Sequence, residues 1–218
     1  MYLSHKYKFL FLRTPKTASS SLSDFFIRNI DDPDAIYTEV EDSGLRGTLS
    51  EEIVSRYRPY AFYHFTVQQL INEGVLTEEQ ARDYYTFALL RHPIDRQKSF
   101  YYFYKKFRSP RTPPSIEEYR NWVTNGAFNN DPNAAIVQAD LLKIRGESIG
   151  DYWLYEKLGD RLMTFMHNIG HSDFKHELPR HKTDTRKNRE NEIEIVGQDL
   201  TDIQTRFKDD FELYYTLT

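Results

Sequence analysis

Residues 13–22 read Arg13-Thr14-Pro15-Lys16-Thr17-Ala18-Ser19-Ser20-Ser21-Leu22, a run of small and hydroxylated residues around one lysine. Small side chains let consecutive backbone N–H groups converge on an anion, the hydroxyls add donors, and Lys16 brings a full positive charge. That is the chemistry of a phosphate or sulfate cradle, and the plainer alternative is a serine-rich helix cap with a solvated lysine. The run lacks the glycines and the Gly-Lys-Ser/Thr ending of a nucleoside-triphosphate loop, which argues against ATP or GTP.

A second constellation is Phe87-Ala88-Leu89-Leu90-Arg91-His92-Pro93-Ile94-Asp95-Arg96-Gln97-Lys98-Ser99-Phe100-Tyr101. An arginine closing an apolar strand and a serine one to two turns into the next helix can meet on one phosphate, so Arg91 and Ser99 are candidate ligands. Between the two loops lies Tyr63-His64-Phe65-Thr66. Histidine titrates where a hydroxyl proton has to be taken, so His64 is the candidate general base, with Asp24 and Glu156 behind it. Late in the chain, Leu178-Pro179-Arg180-His181-Lys182-Thr183-Asp184 offers Lys182 and Thr183 as further anion contacts. It lies in a stretch, 175–189, that carries six Lys or Arg against two acids and also reads as a solvated basic loop. Residues 96–111 hold six basic residues and no acid, interleaved with Phe and Tyr, a composition suited to an anionic sugar.

The elements that must position these residues follow from hydrophobic period and punctuation. The aromatic run 7–12 predicts a buried first strand, and Leu22, Phe25, Phe26 and Ile30 fall at helical spacing after the cradle. Residues 60–65 predict a second strand with His64 near its end, and 85–90 a third, followed by a helix with Pro93 in its first turn. Thr77 with Gln80, and Ser115 with Glu118, are capping-box signals. Asp131 and Pro132 predict a helix through Leu142, 152–155 a late strand, and 161–169 a helix. Leu200, Ile203, Phe207 and Phe211 predict one C-terminal helix packed on the sheet, while 31–48 carries no clear period. Strands alternating with helices give an α/β fold in three layers, with a central, mainly parallel sheet, flanking helices and ligands at the carboxyl ends of the strands.

Composition narrows the function. The chain has 218 residues, room for one domain over 1–218, and a formal net charge of -4 that argues against a nucleic-acid binder. With no cysteine, zinc-thiolate sites, disulfides and thiol nucleophiles are excluded, and no metal is expected. The longest apolar run near the start, 9–12, is far below the roughly 20 residues of a membrane span, and nothing before it reads as a signal peptide. A cytoplasmic location without a membrane span is the expectation.

Arg13 through Ser21, together with Arg91 and Ser99, resembles the PAPS-dependent sulfotransferases, and in particular their carbohydrate and 2-O-sulfotransferase branch. That family transfers a sulfuryl group from 3′-phosphoadenosine 5′-phosphosulfate (PAPS) to a hydroxyl and releases adenosine 3′,5′-bisphosphate (PAP), without a metal, on a P-loop-like fold. The resemblance implies that Lys16, Thr17, Ala18, Ser19, Ser20 and Ser21 bind the 5′-phosphosulfate. It further implies that Lys16 contacts the departing oxygen with Arg13 beside it, and that Arg91 and Ser99 hold the 3′-phosphate. His64 falls where many relatives carry their base, Thr66 where some 2-O-sulfotransferases carry a second histidine, and His92 where Asn or Asp is usual. Lys182 and Thr183 match the late segment that closes over the nucleotide. A hydroxyl acceptor, a carbohydrate above others, is the implied partner. Two other readings remain: a kinase using ATP and magnesium, and a non-catalytic protein binding a nucleotide or anionic sugar.

Overall fold

The apolar runs that precede the two anion loops form neighbouring strands of one sheet. In the computed structural model, β1 (Tyr2–Ser4), β2 (Phe9–Leu12), β3 (Ile36–Tyr37), β4 (Tyr85–Leu90) and β7 (Asp151–Leu154) form a five-stranded sheet in the order β3-β1-β2-β4-β7, while β5 (Lys143–Ile144) and β6 (Glu147–Ser148) make a separate hairpin. β2, β4 and β7 pair in parallel, and β1 runs antiparallel to both β2 and β3, so only β1 opposes the common direction. The sheet is therefore mainly parallel, as the alternating pattern requires. Because β2 and β4 are parallel, with Leu12 paired to Ala88, the chain leaves both at the same edge. The described residues are 1–40, 43–61, 63–108, 114–124, 132–179 and 193–218.

The chain divides into two units, Met1–Leu90 with Gln138–His181, and Arg91–Val137 with Lys182–Thr218. The first contains the sheet with α1 (Ser19–Asn29), α2 (Glu51–Ala61), α3 (Val67–Asn72), α4 (Glu78–Asp83) and α8 (Leu158–Asn168). Phe9, Phe11, Phe87, Leu89 and Trp153 alternate onto one sheet face and bury against Leu22, Phe25 and Phe26 of α1 and Leu162 and Phe165 of α8. Each fully buried phenylalanine there contributes about 1.5–3 kcal/mol, so this face anchors the first turn of α1 to the sheet. Leu10, Leu12, Ala88 and Leu90, on the opposite face, are also fully buried. Gly150 admits the chain into β7, since a Cβ there would stand 2.2 Å from the Thr86 carbonyl oxygen.

The second unit is helical: α5 (Pro93–Arg108), α6 (Ile116–Thr124), α7 (Pro132–Ala135), α9 (Gly197–Arg206) and α10 (Lys208–Leu217). Its core gathers Phe100, Tyr101, Tyr119, Trp122, Ile203, Phe207 and Phe211.

Several expectations are corrected. The predicted strand 60–65 does not form: α2 runs through Ala61, and Tyr63 takes a left-handed backbone with φ 65°. The aromatic and apolar letters suited a strand, but among the described residues 60–61 complete α2 and 63–65 pair with no strand. The helix predicted from Pro132 to Leu142 stops at Ala135 and gives way to a 3₁₀ turn at Gln138–Asp140 and then β5. The C-terminal helix breaks at Phe207, which caps both α9 and α10, and its apolar stripe joins the aromatic core of the second unit. The capping box at Thr77 and Gln80 forms as expected.

Candidate functional site

The carboxyl end of β2 leads directly into the cradle. Arg13, Thr14, Pro15, Thr17 and Ser19 are buried, whereas Lys16, Ala18 and Ser20 alternate with them at partial exposure. The loop is held from within: the Thr17 and Ser19 hydroxyls both donate to the Thr14 carbonyl, at 2.8 and 2.7 Å. Lys16 and Ala18 adopt left-handed backbone, with φ 65° and 61°. Each such non-glycine residue costs about 1–2 kcal/mol, and left-handed residues on either side of another are a backbone form in which successive N–H groups can converge on an anion. Two strained residues thus shape what glycines shape in nucleoside-triphosphate loops.

The head of α1 is suited to an anion. Its N-cap residue, Ala18, makes no side-chain capping bond, and no acidic residue lies in its first turn. The positive end of the helix dipole and the first-turn amides therefore meet no carboxylate of their own helix. Thr14 Oγ1 is buried without a hydrogen-bond partner among the described residues. A doubly charged phosphosulfate, needing many donors and one cation, fits this donor set and Lys16.

Arg13 fastens the cradle to its surroundings. Its guanidinium donates to Ser20 Oγ at 2.7 Å and to the Glu39 carbonyl at 2.8 Å, and it lies 5.7 Å from the Tyr63 ring centroid. His64 lies against the same residue, with Nδ1 2.9 Å from the Arg13 carbonyl oxygen. A carbonyl oxygen only accepts, so Nδ1 carries the proton in this contact and Nε2 is the basic nitrogen. Thr66 is the N-cap of α3, its hydroxyl accepting from Gln69 N while Gln69 Oε1 accepts from Thr66 N. Thr66 thus has a structural task.

The structure brings Arg13, Lys16, Thr17, Ala18, Ser19, Ser20, Ser21 and His64 together in the first unit. Arg91 and Ser99 belong to the second unit, where Arg91 is half-buried and Ser99 sits in α5 at 8% exposure. His92 makes edge contacts with Phe211 and Tyr214, at centroid distances of 5.5 and 5.0 Å. Lys182 and Thr183 lie outside the described residues. Asp24 is tied in an ion pair to Arg28, and Glu156 is exposed in a 3₁₀ turn.

Two cations of the basic run 96–111, whose composition suits an anionic sugar, are committed inside the fold, and residues 109–111 lie outside the described residues. Arg96 is fully buried 3.7 Å from Asp210, with burial pushing its guanidinium down to about 10 against the opposing pull of that carboxylate. Lys105 is buried in an ion pair with Glu118. Two residues escaped the sequence reading. Glu39 lies in the stretch without period and carries no local signal, and Tyr63 stands beside His64 but earns its place only through contacts to Glu39 and Arg13. Among the described residues no group of three or more His, Cys, Asp or Glu is arranged to hold a metal, and no helix is long and apolar enough to cross a membrane.

Comparison with known proteins adds the family. The family model described as "Sulfotransferase family" matches residues 1–216. Among solved structures, a sulfotransferase from Alicyclobacillus acidocaldarius is similar at 16% identity and a TM-score of 0.46, over 93% of this chain and 92% of that one. No curated protein matches significantly.

Proposed function

The chain belongs to the sulfotransferase family, and from that premise we propose that it transfers a sulfuryl group from PAPS to the hydroxyl of an acceptor of the carbohydrate class, acting as one domain over residues 1–218. The observation that carries this reading is the cradle at the head of α1, with Lys16 in it and His64 anchored on the Arg13 carbonyl.

The reaction makes one bond as it breaks another: the acceptor oxygen joins sulfur, the acceptor proton passes to His64 Nε2, and the bond from sulfur to the bridging phosphate oxygen breaks with its electron pair left on that oxygen. His64 receives the proton with Nδ1–H still directed at a carbonyl, a contact that strengthens when the ring becomes cationic. Lys16 and the first-turn amides of α1 present positive charge where negative charge grows on the departing oxygen. Thr17, Ser19, Ser20 and Ser21 supply the remaining donors or the internal bonds that keep the loop in shape. Arg13 holds the cradle, Ser20 and His64 in register. Arg91 and Ser99 are assigned to the 3′-phosphate, and Lys182 and Thr183 to the nucleotide, from their sequence pattern.

Support for a carbohydrate acceptor comes from the first loop's resemblance, not from the basic run, whose Arg96 and Lys105 are buried in ion pairs. Radiolabelled PAPS incubated with the protein and a panel of sugars, phenols and lipids tests the reading. Label on a sugar hydroxyl supports it. Label passing only to phenols or lipids overturns the acceptor class, and label remaining on the nucleotide with every acceptor overturns the activity.

A further inference from the structure

Tyr63 is an aromatic residue held in left-handed backbone, φ 65°, immediately before the candidate base. Such a conformation persists only where surrounding contacts enforce it. Two contacts do so here. The Tyr63 hydroxyl donates to Glu39 Oε2 at 2.6 Å, and the ring, 6% exposed, lies beneath the Arg13 guanidinium. Glu39 is fixed in turn: its carbonyl accepts from Arg13 Nη1, and Gly47 backs against it so closely that a Cβ would stand 2.7 Å from Glu39 N.

These contacts close a circuit. His64 Nδ1 donates to the Arg13 carbonyl, the Arg13 guanidinium binds the Glu39 carbonyl and Ser20 Oγ in the first turn of α1, the Glu39 carboxylate binds the Tyr63 hydroxyl, and Tyr63 leads by its own peptide back to His64. The aim of Nε2 depends on where the backbone sets His64, and a strained peptide on its N-terminal side, pinned through a phenol to a carboxylate, fixes that backbone.

We propose that Glu39 and Tyr63 are positioning residues that aim His64 Nε2 at the acceptor and set its protonation through the Arg13 carbonyl, a proposal that rests on reading His64 as the base. Neither touches the reacting atoms. The carboxylate of Glu39 matters as an acceptor for the phenol, so an amide oxygen can replace it.

Single-turnover transfer from PAPS, read as a rate against pH, tests this in Tyr63→Phe, Glu39→Ala, Glu39→Gln, the double variant Tyr63→Phe/Glu39→Ala, and His64→Ala. Tyr63→Phe and Glu39→Ala should each slow transfer about tenfold or more, the scale of a lost hydrogen bond to a charged group. Each should shift the histidine limb of the rate profile while PAP affinity stays at the wild-type value. Glu39→Gln should recover most of the rate, and the double variant should be no slower than either single one, because both cut the same link. Should Tyr63→Phe fail to fold, Glu39→Ala reads the same bond. Wild-type rates and profiles in the Tyr63 and Glu39 variants beside a slow His64→Ala overturn the brace alone. A wild-type rate in His64→Ala overturns the base assignment and the brace with it.

Discussion

Removing the charge of Lys16 separates electrostatics from loop shape. Lys16 lies in left-handed backbone at partial exposure, and the Thr17 and Ser19 hydroxyls hold the loop through the Thr14 carbonyl. Lys16→Ala keeps a Cβ, so the strain of about 1–2 kcal/mol at that residue persists in both proteins and cancels. A stability change within about 0.5 kcal/mol then follows, which for a chain of this length is a melting shift of roughly 1–2 °C. The catalytic effect is of another size. Losing one preorganised positive group at a developing oxyanion costs about 2.7–4 kcal/mol, a 10²–10³-fold fall in rate. Lys16→Gly provides the control, because it deletes the same charge while relieving the left-handed strain. Single-turnover transfer with labelled PAPS, beside calorimetry with PAP, should find both variants equally slow. Transfer by Lys16→Ala within twofold of wild type would refute the role of the charge, and recovery of rate in Lys16→Gly would locate the effect in the backbone.

PAP should raise the melting temperature more than ATP with magnesium at equal concentration, since the sequence carries two anion loops and no triphosphate loop; the reverse order would count against the donor. Arg91→Ala should weaken PAP binding about 10- to 100-fold, and equal affinity by calorimetry would remove Arg91 from the 3′-phosphate. In the second unit, Asp210→Ala leaves the buried Arg96 without its carboxylate and should cost about 3–5 kcal/mol, a melting loss of roughly 6–20 °C. The paired change Arg96→Met/Asp210→Leu should melt nearer to wild type, and equal losses in both variants would contradict the ion-pair account.

The sheet was legible because its central strands are short apolar runs bounded by polar loops: β2 and β4 were read within a few residues, and their shared direction followed from the helix after each. The cradle was legible for the same reason, since a strand, a hydroxyl-rich turn and a periodic helix are local in sequence. What failed were the tertiary decisions. Residues 60–65 have strand-forming letters, yet α2 runs on through Ala61 and the backbone turns left-handed at Tyr63. Phe207 keeps the helical period on paper, yet it ends one helix and begins the next. The basic run 96–111 was read from its charges and interleaved aromatics, and neither reveals that Asp210 and Glu118 wait in other helices to bury Arg96 and Lys105. Glu39 had no signal at all, because its importance comes from Arg13 and Tyr63, both distant in sequence.

The central claim is that His64 removes the acceptor proton during sulfuryl transfer from PAPS, and it is tested most directly by single-turnover transfer in wild type and His64→Ala with an acceptor that takes label. Reduced transfer by roughly a hundredfold or more, loss of the acidic limb of the rate profile, and unchanged PAP affinity are the predicted result. Wild-type transfer by His64→Ala, with PAP still bound normally, would contradict it and leave His64 as a structural clasp on the Arg13 carbonyl.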